Sequence, residues 1–378
     1  MTSAPGVNPD LPSAIDTLML ASGSEGLYNP GFRKFYLEGR RNTSWPEVQV
    51  ISEDRLIERI VRHNGARSLR GSTLRLGVGD DAAVLASRPN AEWVVSCDAF
   101  LEGIHFLADT HVADSIGYKA LARATSDLAA MGARPRFFLL TLALPINRAG
   151  SWLDSFLGGL KRAAHHFGMT LIGGDTTKNP TIFISMTVIG DISPGRAVTR
   201  SGARPGDLIY VTGVLGAARL GLLLLKSERR LQGRRSLLKA HLYPLIQVEW
   251  GAWLARHRFA SAMIDVSDGL STDLDRLCEA SGVGARIWAD QLPLVKIPRP
   301  LLEVPGLSPL ELALHGGEDY VLLFTVSPRN WRRLRRARRF SELTEIGEVR
   351  SGRQRMLIQK DGVARPIVAG GWDPFGSK

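Results

Sequence analysis

Carboxylates recur in this sequence beside glycine or serine, mostly where apolar runs stop. Asp80 and Asp81 follow Gly79, Asp98 follows Ser96-Cys97, and Asp127 lies in Thr125-Ser126-Asp127. Asp175 follows Gly173-Gly174, and Asp265 and Asp268 share the string Asp265-Val266-Ser267-Asp268-Gly269. Strands that end at such points deliver their side chains to one rim of a sheet. Acids gathered there, with no lysine within their strings, repel one another and are costly to ionise together unless cations intervene. Hard oxygen donors of this kind suit Mg²⁺, which takes a few carboxylates and completes its shell with water and substrate phosphates. Each acid alone has an equally open structural reading, as a plain turn, a surface helix residue or an Asx turn capping a helix. Five acid-bearing segments in similar surroundings point together to metal and phosphate, without naming the reaction.

Other routes to nucleotide or hydrolytic chemistry find no support. The chain has no Gly-x4-Gly-Lys-Ser/Thr loop and no protein-kinase catalytic-loop set. Gly77-Val78-Gly79 runs into acids rather than a helix N-terminus, unlike a dinucleotide fingerprint. Neither Ser96 nor Ser267 stands in a convincing partnership with a histidine, so a Ser-His-Asp hydrolase is unsupported.

The elements that must carry these acids follow from periodicity. Leu56, Ile57, Ile60 and Val61 repeat at helical spacing before Asn64-Gly65. Strands are expected at Leu74 to Gly77 and Trp93 to Val95, the latter ending at Ser96-Cys97-Asp98, with a further apolar stretch at Ala82 to Leu85 between them. A helix from Val112 to Met131 has Ile116, Ala120, Ala124 and Leu128 on one face, and Gly132 and Pro135 stop it. A strand at Phe137 to Leu144 precedes a helix from Ser151 to Gly168, opened in capping-box fashion by Ser151 and Asp154. Strands at Thr170 to Ile172 and Thr181 to Ile189 complete the first half. The turn-forming string from Arg200 to Asp207 divides the halves, and strands recur at Leu208 to Val211, Ala262 to Ile264 and Tyr320 to Val326 among helical stretches. Strand and helix alternate in both halves, which predicts an α+β or α/β pair of domains. Residues 1–50 read as a disordered extension, 51–198 as one domain and 199–378 as the other.

Of 378 residues, 44% are hydrophobic, enough for a full core. The longest apolar run, Ile209 to Leu225, is broken by Thr212, Gly213 and Arg219, so no membrane span is expected. Met1-Thr2-Ser3-Ala4-Pro5 does not open like a secretory signal, and two distant cysteines, Cys97 and Cys278, point to a reducing cytoplasm. The net charge of +11 comes largely from two clusters, Lys226 to Lys239 and Arg329 to Arg339. Such clusters can bind RNA; with no nucleic-acid module beside them, solvated helix faces are the expectation.

The strings around the acids resemble thiamine-monophosphate kinases. Gly77-Val78-Gly79-Asp80-Asp81-Ala82-Ala83, Ser96-Cys97-Asp98 with Gly103-Ile104-His105-Phe106, and Ser126-Asp127-Leu128-Ala129-Ala130-Met131-Gly132-Ala133 carry the likeness. So do Gly173-Gly174-Asp175-Thr176-Thr177, Thr199-Arg200-Ser201-Gly202-Ala203, Ile264 to Leu270, His315-Gly316-Gly317-Glu318-Asp319-Tyr320 and the tail Gly371-Trp372-Asp373-Pro374-Phe375. They stand in the family's order across residues 51–378. The resemblance implies an N-terminal α+β domain whose sheet pairs in a homodimer and a C-terminal α/β domain, as in the aminoimidazole ribonucleotide synthetase-like superfamily. It implies transfer of the ATP γ-phosphoryl group directly to the phosphate of thiamine monophosphate, with several Mg²⁺ ions. Asp80, Ser96, Cys97, Asp98, Asp127, Asp175, Asp265 and Asp268 would face the metals, and Asp98, Asp127 and Asp268 would matter most to catalysis. Gly174, Asp175, Arg200 and Ser267 would contact ATP; His105, Glu318 and Trp372 would contact the acceptor, with the indole stacked on its ring. Two departures stand out. Cys97 replaces the family's common threonine, and Leu245-Ile246-Gln247 follows His241-Leu242-Tyr243-Pro244 where relatives usually have an arginine. Other ATP-dependent enzymes of the superfamily fit less well: no reactive Cys precedes Gly77, and Asp98-Ala99-Phe100-Leu101-Glu102-Gly103 is not an Asp-Gly-Val-Gly-Thr-Lys string.

Overall fold

Alternating side chains in the first half build a sheet with one covered face. The computed structural model of the chain describes residues 74–76, 83–88, 90–226, 234–301, 307–337 and 340–375. The expected extension at residues 1–50, the helix near Leu56 and the Gly77–Asp81 turn, with Asp80, lie outside them. Strands β1 (Leu74–Leu76), β2 (Ala83–Arg88), β3 (Ala91–Leu101), β4 (Arg134–Leu144), β5 (Thr170–Lys178) and β6 (Phe183–Ile192) form a sheet in the order β1-β2-β3-β6-β4-β5. Along β6, Ile184, Met186 and Val188 are buried while the residues between them are half-exposed, the period of a strand with one face on a core.

Helix α1 (Ala113–Ala130) covers that face, and α2 (Ser151–Phe167) packs on α1. Helix α2 is amphipathic, burying Phe156, Gly159, Leu160, Ala163 and Phe167. It ends as expected, with Gly168 in the left-handed region at φ 65°. The expected capping box is absent: Ser151 is the first helical residue, and Gly150 at the N-cap offers no side chain. Most residues of α1 are buried, because α1 lies between two layers.

The second layer is the C-terminal sheet. It comprises β7 (Leu208–Val211), β8 (Ala262–Asp265), β9 (Gly284–Trp288), β10 (Leu322–Val326), β11 (Thr344–Arg350), β12 (Arg355–Ile358) and β13 (Ala364–Pro366), in the order β13-β12-β9-β11-β7-β10-β8. Its pairs are antiparallel except β9 with β12. Helices α3 (Ala217–Leu225), α4 (Arg234–Leu242), α5 (Val248–His257), α6 (Leu270–Ser281), α7 (Pro309–His315) and α8 (Pro328–Leu334) surround it. One apolar cluster runs from Ile184 and Leu128 through Trp250 and Leu254 to Tyr210 and Phe324, so the two sheets share a core through α1 and α5. A second cluster seats α6 on the opposite face through Leu274 and Leu277 against Ile264 and Leu323. Helix α1 therefore reports to both halves of the molecule.

Within the basic stretch after Ser327, Arg335 lies 4.8 Å from the Trp331 ring centre and Arg333 lies 5.3 Å from that of Phe259. Those two guanidiniums pack on aromatic faces. Among the described residues, no helix is long and apolar enough to cross a membrane.

Candidate active site

Strand β3 brings the first acid inward. In register, Asp98 faces Met186 and Ser96 faces Val188, both on the covered side of the sheet. Helix α1 lies over that side, and the Ser96 hydroxyl donates to the Asp127 carboxylate. Asp98 accepts from Arg123, 2.7 Å from Nε and 3.4 Å from the second guanidinium nitrogen. Arg123 and Asp127 are four residues apart on α1 and so share a face.

Strand β8 brings the second group. Asp265 is its last residue and accepts from Ser126 of α1 at 2.5 Å. The turn Val266 to Gly269 then enters α6, with Gly269 at φ 107°. Asp268 is paired with Arg276, and its backbone N–H donates to buried Asp273 at 3.0 Å. Burial first, and then Asp268, push the Asp273 carboxyl well above the usual carboxylate range. The Arg276 guanidinium, 3.2 Å from Asp273, partly offsets both.

A cleft of about 240 Å³ between the domains is lined by Asp98, Asp127, Asp265 and Asp268. Ile104, Leu222, Trp372 and Pro374 add apolar and aromatic surface to the same cleft. Trp372 is 41% exposed, and its backbone N–H donates to the Asp268 carbonyl at 3.0 Å, which ties the tail's main chain to the turn after β8. A Cβ on Gly371 would sit 1.9 Å from that same carbonyl oxygen, so only glycine lets the tail approach so closely. His105 and Glu318 also line the cleft. Burial first, and then the Arg123 charge, lower the His105 pKa to about 3. Its Nδ1 accepts from the Leu101 N–H at 3.0 Å, so a neutral His105 presents Nε2–H as a donor. With hard anionic oxygens and an aromatic and apolar surface in one cleft, the arrangement can hold phosphates with their cations and a ring together.

The sequence of each half matches a known domain. The AIR synthase related protein N-terminal domain matches residues 79–192, and the corresponding C-terminal domain matches residues 204–358. The chain is 42% identical over 257 residues to the thiamine-monophosphate kinase of Salmonella typhimurium, which spans 67% of this chain and 77% of that one. It is 34% identical over 319 residues to the thiamine-monophosphate kinase of Bacillus subtilis, across 82% of this chain and 96% of that one. The chain belongs to the thiamine-monophosphate kinase family. Among solved structures, AaThiL complexed with AMPPCP and TMP superposes with a TM-score of 0.75 at 31% identity, covering 88% of this chain and 100% of that one.

For a thiamine-monophosphate kinase, the cleft gathers much of the residue set expected from sequence, and not all of it. Asp98, Asp127, Asp265, Asp268, Ser267, His105, Glu318 and Trp372 line it, and Ser96 is bonded to one of them. Cys97 is a correction. It lies opposite Thr187 on the outer side of the sheet, within 3.3 Å of the Ser185 hydroxyl and 3.4 Å of the Thr187 hydroxyl. Strand alternation turns it away from Ser96 and Asp98, so it does not join them as a metal ligand. Gly174, Asp175 and Arg200 do not line the cleft. Gly174 has a packing reason of its own: a Cβ there would meet the Leu140 carbonyl oxygen at 1.8 Å. The Arg200 carbonyl accepts from Ser281 of α6.

The donor set fits Mg²⁺. Among the described residues no three His, Cys, Asp or Glu side chains form a ready-made metal cage. Four cleft carboxylates and the Ser96 hydroxyl are all hard oxygens, and Mg²⁺ characteristically leaves part of its shell to water and phosphate. The acids are not unaccompanied, however, since Arg123 and Arg276 pair with two of them. Sequence reasoning missed both arginines. Lys119, Arg123 and Asp127 stand at i, i+4 and i+8 and carry all the charge of the helix beyond Asp114 in its first turn, and that spacing was the available signal.

Proposed function

We propose that this protein uses ATP to phosphorylate the phosphate of thiamine monophosphate, giving thiamine diphosphate, by direct transfer with Mg²⁺. The observation that carries the reading is a single cleft that combines the carboxylates Asp98, Asp127, Asp265 and Asp268 with the apolar and aromatic surface of Trp372, Ile104 and Pro374. The acceptor is a small molecule that carries both a ring system and a phosphate, and that combination suits it. Relatives named for this activity, and AaThiL with AMPPCP and TMP, support it.

A phosphate monoester has a second pKa near 6, so the acceptor oxygen is already largely ionised at neutral pH. No residue is therefore needed as general base. The chain's task is to bring two anions together and hold them in line. Asp98, Asp127, Asp265, Asp268 and Ser96 would hold the Mg²⁺ ions, with Asp80 and Asp175 as further ligands. The metal, when bound, supplies charge neutralisation and alignment of the phosphates. Arg123 and Arg219 line the same cleft and add fixed positive charge. Ser267, with Gly174, Asp175 and Arg200, would meet ATP. His105 as neutral donor, Glu318 as wall and the Trp372 indole as stacking face would meet the acceptor.

Purified protein with Mg-ATP is expected to convert thiamine monophosphate, and not free thiamine, to thiamine diphosphate. A folded, ATP-binding sample that makes no product across Mg²⁺ and K⁺ titrations would refute the acceptor.

The same reading includes a homodimer and a place in the reducing cytoplasm, in keeping with two free cysteines. Strand β5 is exposed along its length and, among the described residues, pairs with β4 alone, with Leu171 and Ile172 about half exposed. A long edge strand with exposed apolar residues invites pairing with another chain. Light scattering should give twice the 41.3 kDa chain mass, and a monomer at micromolar concentration would contradict it.

A further inference from the structure

Lys119 is among the largest fully buried side chains of the protein, at 2% exposure. Its Nζ meets Glu318 Oε1 at 2.6 Å. The other oxygen of Glu318 lies 3.1 Å from His241 Nδ1. His241 Nε2 is 3.1 Å from His111 Nε2, and His111 Nδ1 is 3.2 Å from the Leu107 backbone nitrogen. His111 and His241 are themselves buried. The path thus crosses the molecule, with Lys119 and His111 from the first half and His241 and Glu318 from the second.

One proton arrangement gives both Glu318 oxygens a donor, with the Leu107 carbonyl, 3.2 Å from His111 Nδ1, accepting instead from the Thr110 and His111 backbone N–H groups. Burial, then the neighbouring His241 and Lys119, lower the His111 pKa to about 4, and burial first lowers that of His241. Both rings are therefore neutral, and two facing nitrogens require one donor and one acceptor. His241 Nδ1 faces a carboxylate and carries the hydrogen; its Nε2 accepts from His111 Nε2–H, and His111 Nδ1 accepts from the Leu107 N–H. The 3.3 Å approach of Lys119 Nζ to His241 Nδ1 is then a contact between two donors that share Glu318. One positive and one negative charge remain, with Lys119 buried and Glu318 partly open to the cleft.

The chain ends where the backbone is unusual. Glu318 and Tyr320 have φ of 61° and 50°, a region that is unfavourable for a non-glycine residue. Both are held: the Glu318 N–H donates to Ser267 O at 2.7 Å and the Tyr320 N–H to Val266 O at 2.9 Å. Glu318 is thereby stapled to the turn that carries Asp265 and Asp268, while its carboxylate is tied to α1, which carries Asp127. At its other end, His111 closes the segment that begins with Ile104 and His105.

We propose that Lys119, His241 and His111 are positioning residues that hold Glu318 and the His105 segment as fixed opposing walls of the acceptor site in the cleft. The assignment rests on the kinase reading above. With both carboxylate oxygens engaged from within the protein, Glu318 acts as a shaped wall.

His111 touches no cleft residue directly, which makes it the cleanest probe. His111→Leu removes both polar ends, whereas His111→Gln can still offer an amide N–H where Nε2–H stood. His111→Leu should raise KM for thiamine monophosphate about 10-fold or more, leave KM for ATP within about twofold, and be restored to within about threefold by His111→Gln. Lys119→Met should cost about 100-fold in kcat/KM. If that variant does not fold, Lys119→Met combined with Glu318→Gln removes the charges as a pair and should fold without regaining activity. A lowered Tm with unchanged kinetics, equal changes in both KM values, or no difference between His111→Leu and His111→Gln would overturn the proposal. Wild-type turnover is read first, since its absence counts against the kinase reading alone. Hydrogen exchange then decides the positioning claim: His111→Leu should speed exchange in segments 104–111 and 316–320 together, His111→Gln should not, and unchanged exchange would refute it.

Discussion

Asp127→Asn should lower turnover of thiamine monophosphate by about 10³-fold, equivalent to roughly 4 kcal/mol of lost transition-state stabilisation, with the fold retained. The carboxylate and the amide have nearly the same shape, and the amide oxygen can still accept the Ser96 hydroxyl. What disappears is a negative oxygen from a cleft whose proposed task is to hold cations against phosphates. Circular dichroism and Tm should stay close to the parent while kcat collapses, and extra Mg²⁺ should recover little. Asp98→Asn should cut turnover comparably but also lower Tm. Its partner Arg123 is only 16% exposed, and a buried guanidinium that loses its counter-charge is penalised. A near-normal rate for Asp127→Asn at saturating Mg²⁺ would remove Asp127 from the ligand set and break the link between the acid pattern and the chemistry.

The contrast between Asp127 and Cys97 shows what could be read in the residues and what could not. Apolar spacing placed α1 and α2 within a residue or two of their ends, because Gly132 and Gly168 stop them by backbone chemistry that is local. Strand positions were legible in much of the first half, but β9, β11, β12 and β13 of the second sheet were not, and strand lengths were not legible in either. Strand β3 runs on to Leu101 and β5 to Lys178, since pairing with β6 and β4, not composition, decides where a strand ends. Cys97 was misread for the same reason: once Ser96-Cys97-Asp98 lies inside a strand, alternation turns the middle residue outward. The acids of the cleft were visible as a pattern because glycine and serine mark their turns. Their cations were not, since Arg123 and Lys119 sit in a helix and Arg276 is two turns beyond Asp268 on another. The His111–His241 contact joins residues 130 positions apart, and no local signal announces it.

Gly117→Ala should destabilise the protein by roughly 3 kcal/mol and lower activity with it, although alanine favours a helix over glycine by about 1 kcal/mol. The reason lies at the crossing of α1 and α2. A Cβ on Gly117 would stand 2.0 Å from the Phe156 carbonyl oxygen and 2.9 Å from the Leu160 nitrogen. One on Gly159 would stand 1.8 Å from the Asp114 carbonyl oxygen, so each helix needs a glycine for the other's backbone to pass. Backbone atoms cannot turn aside as a side chain end can, and relief requires the helices to part. Helix α1 carries Lys119, Arg123 and Asp127, so parting would move the buried ion pair and a cleft carboxylate together. Gly158→Ala, on α2 beside Gly159, is the control. Its nearest neighbour is the tip of Asp114 at 4.0 Å, so only the helical preference remains, and stability should rise by up to about 1 kcal/mol with turnover unchanged. Urea midpoints and kcat measured on the pair would separate the terms. If both substitutions stabilise, the helices yield at that crossing, and α1 does not fix the distance between the two acid groups. If Gly117→Ala alone unfolds early and loses turnover, the spacing of the site is set by two glycines far from the chemistry.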